Sequence, residues 1–180
     1  MGHAFTYLPW LYRWVLLVIL MAGTVILMVK LSRQGQPLRN DAAPNGILSY
    51  EFAWNQNQAE RMINSWKSVK QTAEQQLFLD FGFLVAYPLL FSLACAMLAE
   101  SRFNQIAMVG VFISWAVLAA GPLDAIENFA LLRMLDGGAS EVLAQLAGWC
   151  AGVKFLLVYS SLGYIVLQGL STLTGWMKAR

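Results

Sequence analysis

Charged side chains are scarce in this chain. They account for 12% of its 180 residues, about half of the ~25% that is usual for a soluble domain. The formal net charge is only +2, and the basic residues form no arm interleaved with aromatic residues, so nothing here indicates a nucleic-acid partner. Hydrophobic residues make up 58% of the chain, and the mean hydropathy is +0.55. Such a composition is typical of an integral membrane protein.

Residues that bind metals and cofactors are equally rare. His3 is the single histidine, which excludes a histidine-ligated metal site and a bis-histidine haem. The two cysteines, Cys95 and Cys150, fall in different apolar segments, at opposite depths when residues are counted along helices. We therefore expect no disulfide, no metal and no cofactor.

Long uncharged segments dominate the rest of the sequence. Residues 81–99, 103–123 and 155–177 carry no charge, and each is close to the ~20 residues that a helix needs to cross hydrocarbon. A fourth segment, 14–29, extends back past Arg13, whose long side chain can reach the membrane interface. The sequence predicts one all-α integral membrane domain over residues 1–180, an antiparallel four-helix bundle. The predicted spans lie at about residues 10–31, 77–99, 104–135 and 141–173.

The first loop, residues 32–76, has its own pattern. Turn-forming residues fill 34–45, and a weak alternation of apolar residues over 47–54 predicts an extended segment. Asn55 or Asn57 is then expected to cap a helix. An apolar stripe follows at helical spacing: Met62, Ile63, Trp66, Val69, Ala73 and Leu77. We expect an amphipathic helix that leads into the second span and covers the end of the bundle, with the lipid surface as the other place for its stripe.

Two further patterns concern the third and fourth spans. The Asp-Gly-Gly sequence at 136–138 is expected to end the third helix. Small residues recur every four positions on the fourth helix, at Ala144, Gly148 and Gly152, which lets another helix backbone approach closely. Packing inside the bundle is the first interpretation of this ladder, and pairing of two copies of the chain is the second.

Polar residues interrupt the apolar pattern of the third helix. Asp124, Glu127 and Asn128 are spaced i, i+3 and i+4, which places them on one side of a helix. Asp80 and Asp124 lie equally far before and after the turn that joins the second and third spans, so both are roughly 33 Å from it. Lys154 reaches the same level on the fourth span. Charges from several spans are therefore expected to meet near the boundary between hydrocarbon and head groups.

Three interpretations of this polar centre are open. The first is a structural ring of ion pairs, and the second is a pocket for a cationic or hydroxylated ligand. The third is an enzyme site in which Asp124 and Glu127 act as general acid and base on a lipid or isoprenoid, although no nucleophile motif accompanies them. The candidate site residues are Asp80, Tyr87, Asp124, Glu127, Asn128 and Lys154.

Three short motifs carry a resemblance. Leu-Asp-Phe at 79–81 followed by Tyr87, Leu-Asp-x-x-Glu-Asn at 123–128 and Lys-Phe at 154–155 occur in this order on successive spans. Over roughly residues 50–167 the chain thereby resembles a family of small four-span bacterial membrane proteins. The resemblance implies the fold and an extracytoplasmic first loop, and it implies no activity.

These observations lead to an expected function. We expect a small multi-pass protein of the bacterial inner membrane with a non-enzymatic role, either in ligand binding or as an accessory subunit, and the lipid enzyme is the alternative. Candidate partners are membrane lipids, a small lipophilic ligand, a membrane-protein partner and a second copy of the chain. Basic residues are more numerous in the first loop, which favours a cytoplasmic loop. Because that rule is weak for long loops, we follow the resemblance and place both termini in the cytoplasm.

Overall fold

Helices account for most of the structure. The computed structural model describes residues 2–101 and 105–178, with side chains up to residue 171. It is 83% helix, and no strand occurs in the described residues. The α-helices are α1 (Trp10–Gln34), α2 (Ile47–Glu51), α3 (Gln56–Ser65), α4 (Lys70–Glu100), α5 (Gln105–Ala116), α6 (Ala120–Gly137) and α7 (Glu141–Lys178). Four stretches are long and apolar enough to cross a membrane, namely α1, α4, α5 with α6, and α7. The predictions of an all-α fold and of four long apolar helices are confirmed.

The third of these stretches is interrupted, whereas the sequence predicted one continuous helix. A 3₁₀ turn over Val117–Ala119 separates α5 from α6. Pro122 explains the break, because it has no N–H to donate and its ring crowds the carbonyl group four positions earlier. The predicted start near Asn104 lies outside the described residues. α6 ends at Gly137 and is followed by Gly138 at φ +92°, so the predicted stop is confirmed.

The prediction of an extended segment over 47–54 was wrong, because the segment begins with the short helix α2. Gly46, with φ +60° and ψ −128°, turns the chain immediately before it, a conformation that glycine adopts without strain. Ile47 and Tyr50 then share one face of α2, and both are buried. The three-residue spacing of Ile47 and Tyr50 suits a helix, and the weak two-residue alternation did not determine the structure.

A turn separates the loop helix α3 from the second long stretch. Asn55 caps α3 by accepting a hydrogen bond from Gln58 N at 2.9 Å, which confirms the predicted N-cap. The chain leaves α3 at Ser65 and starts α4 only at Lys70, so the amphipathic helix does not run continuously into the second long stretch. Trp66 lies in this turn, where its side chain is fully buried.

Trp66 anchors the loop to the rest of the protein. Its Nε1 donates to the backbone oxygen of Leu38 at 2.8 Å, and its ring meets the ring of Tyr50 edge-on at 5.4 Å. The buried loop residues form one apolar cluster with residues from α4, α6 and α7. Among its members are Leu38, Tyr50, Trp66, Leu77, Leu131, Met134 and Ala144. The stripe therefore faces protein, and the loop covers the end of the bundle where α4 begins and α6 ends.

α4 is the central helix of the bundle. It packs against α1, α5, α6 and α7, whereas α1 packs chiefly on α4 and has little contact with α7. A groove consequently remains between α1 and α7, with α4 as its floor. Both cysteines are buried and free.

An ion pair and several hydrogen bonds fix the first end of α1. Arg13 Nη1 lies 2.6 Å from Glu100 Oε2, and His3 Nε2 lies 2.7 Å from Glu100 Oε1. The Arg13 guanidinium also donates to the backbone oxygens of Leu8 and Thr6. Arg13 is therefore buried among protein partners at the end of α4. The expectation that it reaches the membrane interface stays a prediction.

Small residues of α7 face the interior. Ala144, Ala147 and Ala151 are fully buried, and the ring of Trp54 covers Gly148. A Cβ at Gly148 would lie 2.9 Å from a ring atom of Trp54. This packing supports the first interpretation of the small-residue ladder, and pairing of two copies stays a hypothesis.

α4 and α6 approach each other closely at Gly121. A Cβ there would lie 2.8 Å from the backbone oxygen of Leu84, closer than van der Waals contact allows. Pro88 has no N–H for this same oxygen, so the carbonyl of Leu84 is left out of the helical hydrogen-bond ladder and is covered by Gly121. The glycine thus sets the spacing of the two helices that carry most of the polar centre.

We predict that Gly121→Ala lowers the free energy of unfolding by ~1–3 kcal/mol, because the added methyl group must push α4 and α6 apart. The measurement is thermal or denaturant unfolding of the purified protein in nanodiscs. Gly152→Ala is the matched control: it gains the same helix propensity, and nothing lies within 4 Å of its added Cβ. Equal stability of the two variants would contradict the close contact at Gly121.

Candidate functional site

Lys154 stands at the middle of the polar centre. Its Nζ lies 2.8 Å from Asp124 Oδ1, 3.0 Å from Glu127 Oε1 and 3.5 Å from Glu51 Oε2. Glu127 Oε2 is also close to Nζ, at 2.9 Å, but without hydrogen-bond geometry. Lys154, Asp124 and Glu127 are all buried, with exposed fractions of 6%, 2% and 0%. One ammonium group therefore holds three carboxyl groups together away from water.

Two hydrogen bonds connect this network to side chains of α4. Asn128 Nδ2 donates to Asp80 Oδ2 at 2.7 Å, and the hydroxyl of Tyr87 donates to Asp124 Oδ2 at 3.0 Å. Tyr87 and Asn128 are buried, and Asp80 is partly buried. The structure thus brings all six candidate site residues into one region.

Local structure explains why these side chains meet. The i, i+3, i+4 spacing of Asp124, Glu127 and Asn128 directs all three to the same side of α6, as the sequence pattern indicated. The close approach at Gly121 brings that side to α4. Lys30, which a residue count along α1 puts at the same level, is exposed and makes no ion pair within the described residues.

Glu51 is a member of the network that the sequence analysis missed. It ends the loop helix α2 and points into the bundle, with 14% of its side chain exposed. Burial raises the pKa of Glu51; nearby Lys154 opposes this shift and Asp124 adds to it. The pattern of this part of the loop predicted an extended segment and not the helix α2, so it did not indicate that Glu51 points into the bundle.

A cavity of about 300 Å³ opens beside the network, between α1 and α7. Its polar end is formed by Glu51, Asp80, Asp124 and Lys154. The remaining wall is mostly apolar and comes from α1, α4 and α7: Thr24, Met28, Phe83, Tyr87, Phe91, Phe155 and Val158. The site therefore combines a charged end with an apolar wall, as a site for an amphiphilic molecule would.

Thr24 is the second residue that the sequence analysis missed. It lies on α1 and lines the cavity, it is buried, and its Oγ1 has no hydrogen-bond partner among the described residues. A buried threonine in a helix ordinarily bonds the carbonyl group three or four positions earlier. Within the apolar sequence of α1, one threonine gave no signal of this role.

The chemistry of the site is dominated by carboxyl groups. The site contains four carboxyl groups, on Glu51, Asp80, Asp124 and Glu127, and one ammonium group, on Lys154, which contacts all of them except Asp80. Among the described residues, no group of three or more His, Cys, Asp or Glu side chains is arranged to hold a metal ion. Carboxylates accept hydrogen bonds and favour cations, so the arrangement can hold donors or positive charge.

No known protein family, curated protein or solved structure matches this chain. The resemblance to small four-span bacterial membrane proteins therefore remains an expectation based on the three motifs.

We predict an asymmetric double-mutant cycle for Asp124→Asn and Lys154→Met. Loss of the lysine leaves three buried carboxyl groups without their cation and should cost ~3–5 kcal/mol of unfolding free energy. Loss of Asp124 alone leaves Lys154 with two partners and should cost less. The double mutant should lose less than the sum, as measured by unfolding in nanodiscs.

A surface ion pair supplies the control for this cycle. Lys70 Nζ lies 3.1 Å from Asp136 Oδ1, and the exposed fractions of these two side chains are 42% and 66%. Lys70→Met should therefore change stability little. Strictly additive losses for Asp124 and Lys154 would show that their contact contributes nothing to stability.

Proposed function

We propose that this chain is an integral membrane protein whose four long helices cross the bilayer as an antiparallel bundle. Their length and hydropathy support the crossing. The order of the contacts between α4 and the third stretch supports the antiparallel arrangement. Asp80 is hydrogen-bonded to residue 128, Tyr87 to residue 124 and Ser92 to residue 114. The residue numbers of the third stretch therefore fall as those of α4 rise.

We further propose that the protein binds a small lipophilic molecule at the charged centre. The cavity carries this proposal, because it joins buried charges to an apolar wall and lies at the groove between α1 and α7. A ligand could enter that groove sideways from the lipid, without passing the folded loop. Non-enzymatic binding is preferred to acid–base catalysis, because Asp124 and Glu127 are both engaged by Lys154.

The proposed location is the bacterial inner membrane, with both termini in the cytoplasm and the covering loop outside. The resemblance supports this orientation.

Ser68 and Ser101 are both exposed and lie at opposite ends of α4. Single cysteines at these positions, in a chain without Cys95 and Cys150, should differ in intact cells: an impermeant thiol reagent should label position 68 and spare position 101. The reverse pattern would invert the orientation.

We predict that the protein extracted in its own lipids retains an amphiphile that native mass spectrometry detects as added mass. Val158→Trp should remove this mass, because Val158 lines the cavity and a larger side chain fills it. Val166→Trp is the matched control, since Val166 also lies on α7 but is exposed and away from the cavity.

Thermal unfolding of both variants separates loss of the ligand from loss of the fold. The proposal holds when Val158→Trp is folded and empty while Val166→Trp is folded and loaded. It fails when the wild-type protein carries no amphiphile, or when both variants retain it equally.

A further inference from the structure

The hydrogen-bond donors at the polar end of the cavity are already in use. An ammonium group has three N–H donors, and those of Lys154 point to Asp124, Glu127 and Glu51. The hydroxyl of Tyr87 donates to Asp124. A ligand that arrives here meets no free donor among these groups.

Acceptors, in contrast, remain available. Asp80 is bonded through Oδ2, to Asn128, and no described residue is bonded to its Oδ1. Each carboxylate oxygen can accept more than one hydrogen bond, so the carboxyl groups of Glu51 and Asp124 also have spare capacity. The head of a ligand must therefore bring donors, and the excess of carboxyl groups over ammonium groups favours one with a positive charge.

Thr24 gives an independent indication of a ligand in the same place. Its Oγ1 is buried and has no partner in the part of the chain that the structure describes, and a buried hydroxyl without a hydrogen bond is costly. It lines the cavity from α1, while the carboxyl groups line it from α2, α4 and α6. A donor placed between the two sides would satisfy the hydroxyl oxygen and the carboxylates together.

We propose that the ligand is a single-chain amphiphile whose head is a protonated primary amine. This inference rests on the proposed function and adds the chemical class of the ligand. The three N–H groups of the head donate to Asp80, Glu51 and Thr24, and the positive charge offsets the excess of carboxylates. A carboxylate or phosphate head would add negative charge to an excess of carboxyl groups, with only the hydroxyl of Thr24 to donate to it, so it is excluded on charge.

The tail of this amphiphile follows the groove. A second cavity, of about 480 Å³, is bordered by the same three helices one or two turns further along. Its apolar lining includes Trp14 and Leu17 of α1, Ala94 of α4 and Ile165 of α7. From Lys154 to the far end of this lining at Gly169, α7 rises roughly 22 Å, which is enough for a long alkyl chain.

The experiment compares four probes with the same alkyl chain: dodecylammonium, dodecyltrimethylammonium, dodecanol and dodecanoate. Each is titrated into the wild-type protein in phosphatidylcholine nanodiscs at neutral pH, and the bound fraction is read by native mass spectrometry. Binding that Val158→Trp abolishes is counted as cavity binding. We expect dodecylammonium to bind at least about tenfold more tightly than the other three probes, since each of them lacks the N–H donors, the charge or both.

Three variants test the contacts of the head. Asp80→Asn and Glu51→Gln should each weaken dodecylammonium binding by about 10- to 100-fold, as the loss of a charge-assisted hydrogen bond does, and should leave dodecanol binding nearly unchanged. Thr24→Val should weaken dodecylammonium binding without lowering the stability of the empty protein, because the hydroxyl it removes has no partner there. Glu60→Gln, on the exposed face of α3, is the control for the loss of one negative charge.

The outcomes distinguish this inference from the function on which it rests. If dodecanol or dodecanoate binds the cavity as tightly as dodecylammonium, the amine head is refuted and the amphiphile site stands. If dodecyltrimethylammonium binds equally well, the positive charge is sufficient and the proposed N–H contacts are refuted. If no probe shows binding that Val158→Trp abolishes, the proposed function itself fails.

Discussion

The ion cluster around Lys154 is the constraint on which the rest of the structure depends. A buried ammonium group and three carboxyl groups are stable only together, since each would otherwise carry a large desolvation cost. The cluster joins three parts of the chain that are distant in sequence: the loop helix α2, α6 and α7. The loop is therefore a structural part of the bundle, and the position of α2 over α7 follows from the requirement that Glu51 reach the cluster.

Much of the fold could be predicted from the sequence because apolar length is a direct physical signal. Helices that cross hydrocarbon need long uncharged segments, and such segments stand out in this composition. The loop was harder, because its short elements depend on tertiary contacts. Trp66 lies in the turn after α3, where its ring donates a hydrogen bond to the backbone oxygen of Leu38. The apolar stripe alone did not distinguish a continuous helix from such a turn.

The candidate site divides in the same way. Residues on long helices could be brought together by counting, because the helical rise and the 3.6-residue repeat fix both depth and direction. Asp124, Glu127 and Lys154 are of this kind. Glu51 and Thr24 could not be found by counting. Glu51 lies on a loop whose path the sequence does not reveal. Thr24 is a common residue, and it stands out only because its hydroxyl has no partner among the described residues. The position of a residue along the bundle can be counted from the helical rise, but no sequence repeat shows where a loop packs against the bundle.

α1 is attached unevenly along its length. Arg13 and Glu100 hold one end, and at the other end Gln76 Nε2 donates to the backbone oxygen of Leu31 at 3.3 Å. Between these points α1 relies on apolar contacts with α4 and has little contact with α7. A helix that is held at its two ends bends most easily near its middle. The section of α1 beside Thr24 is therefore where outward bending disturbs the fewest polar contacts, and the helix can widen the groove there while both of its ends stay bonded.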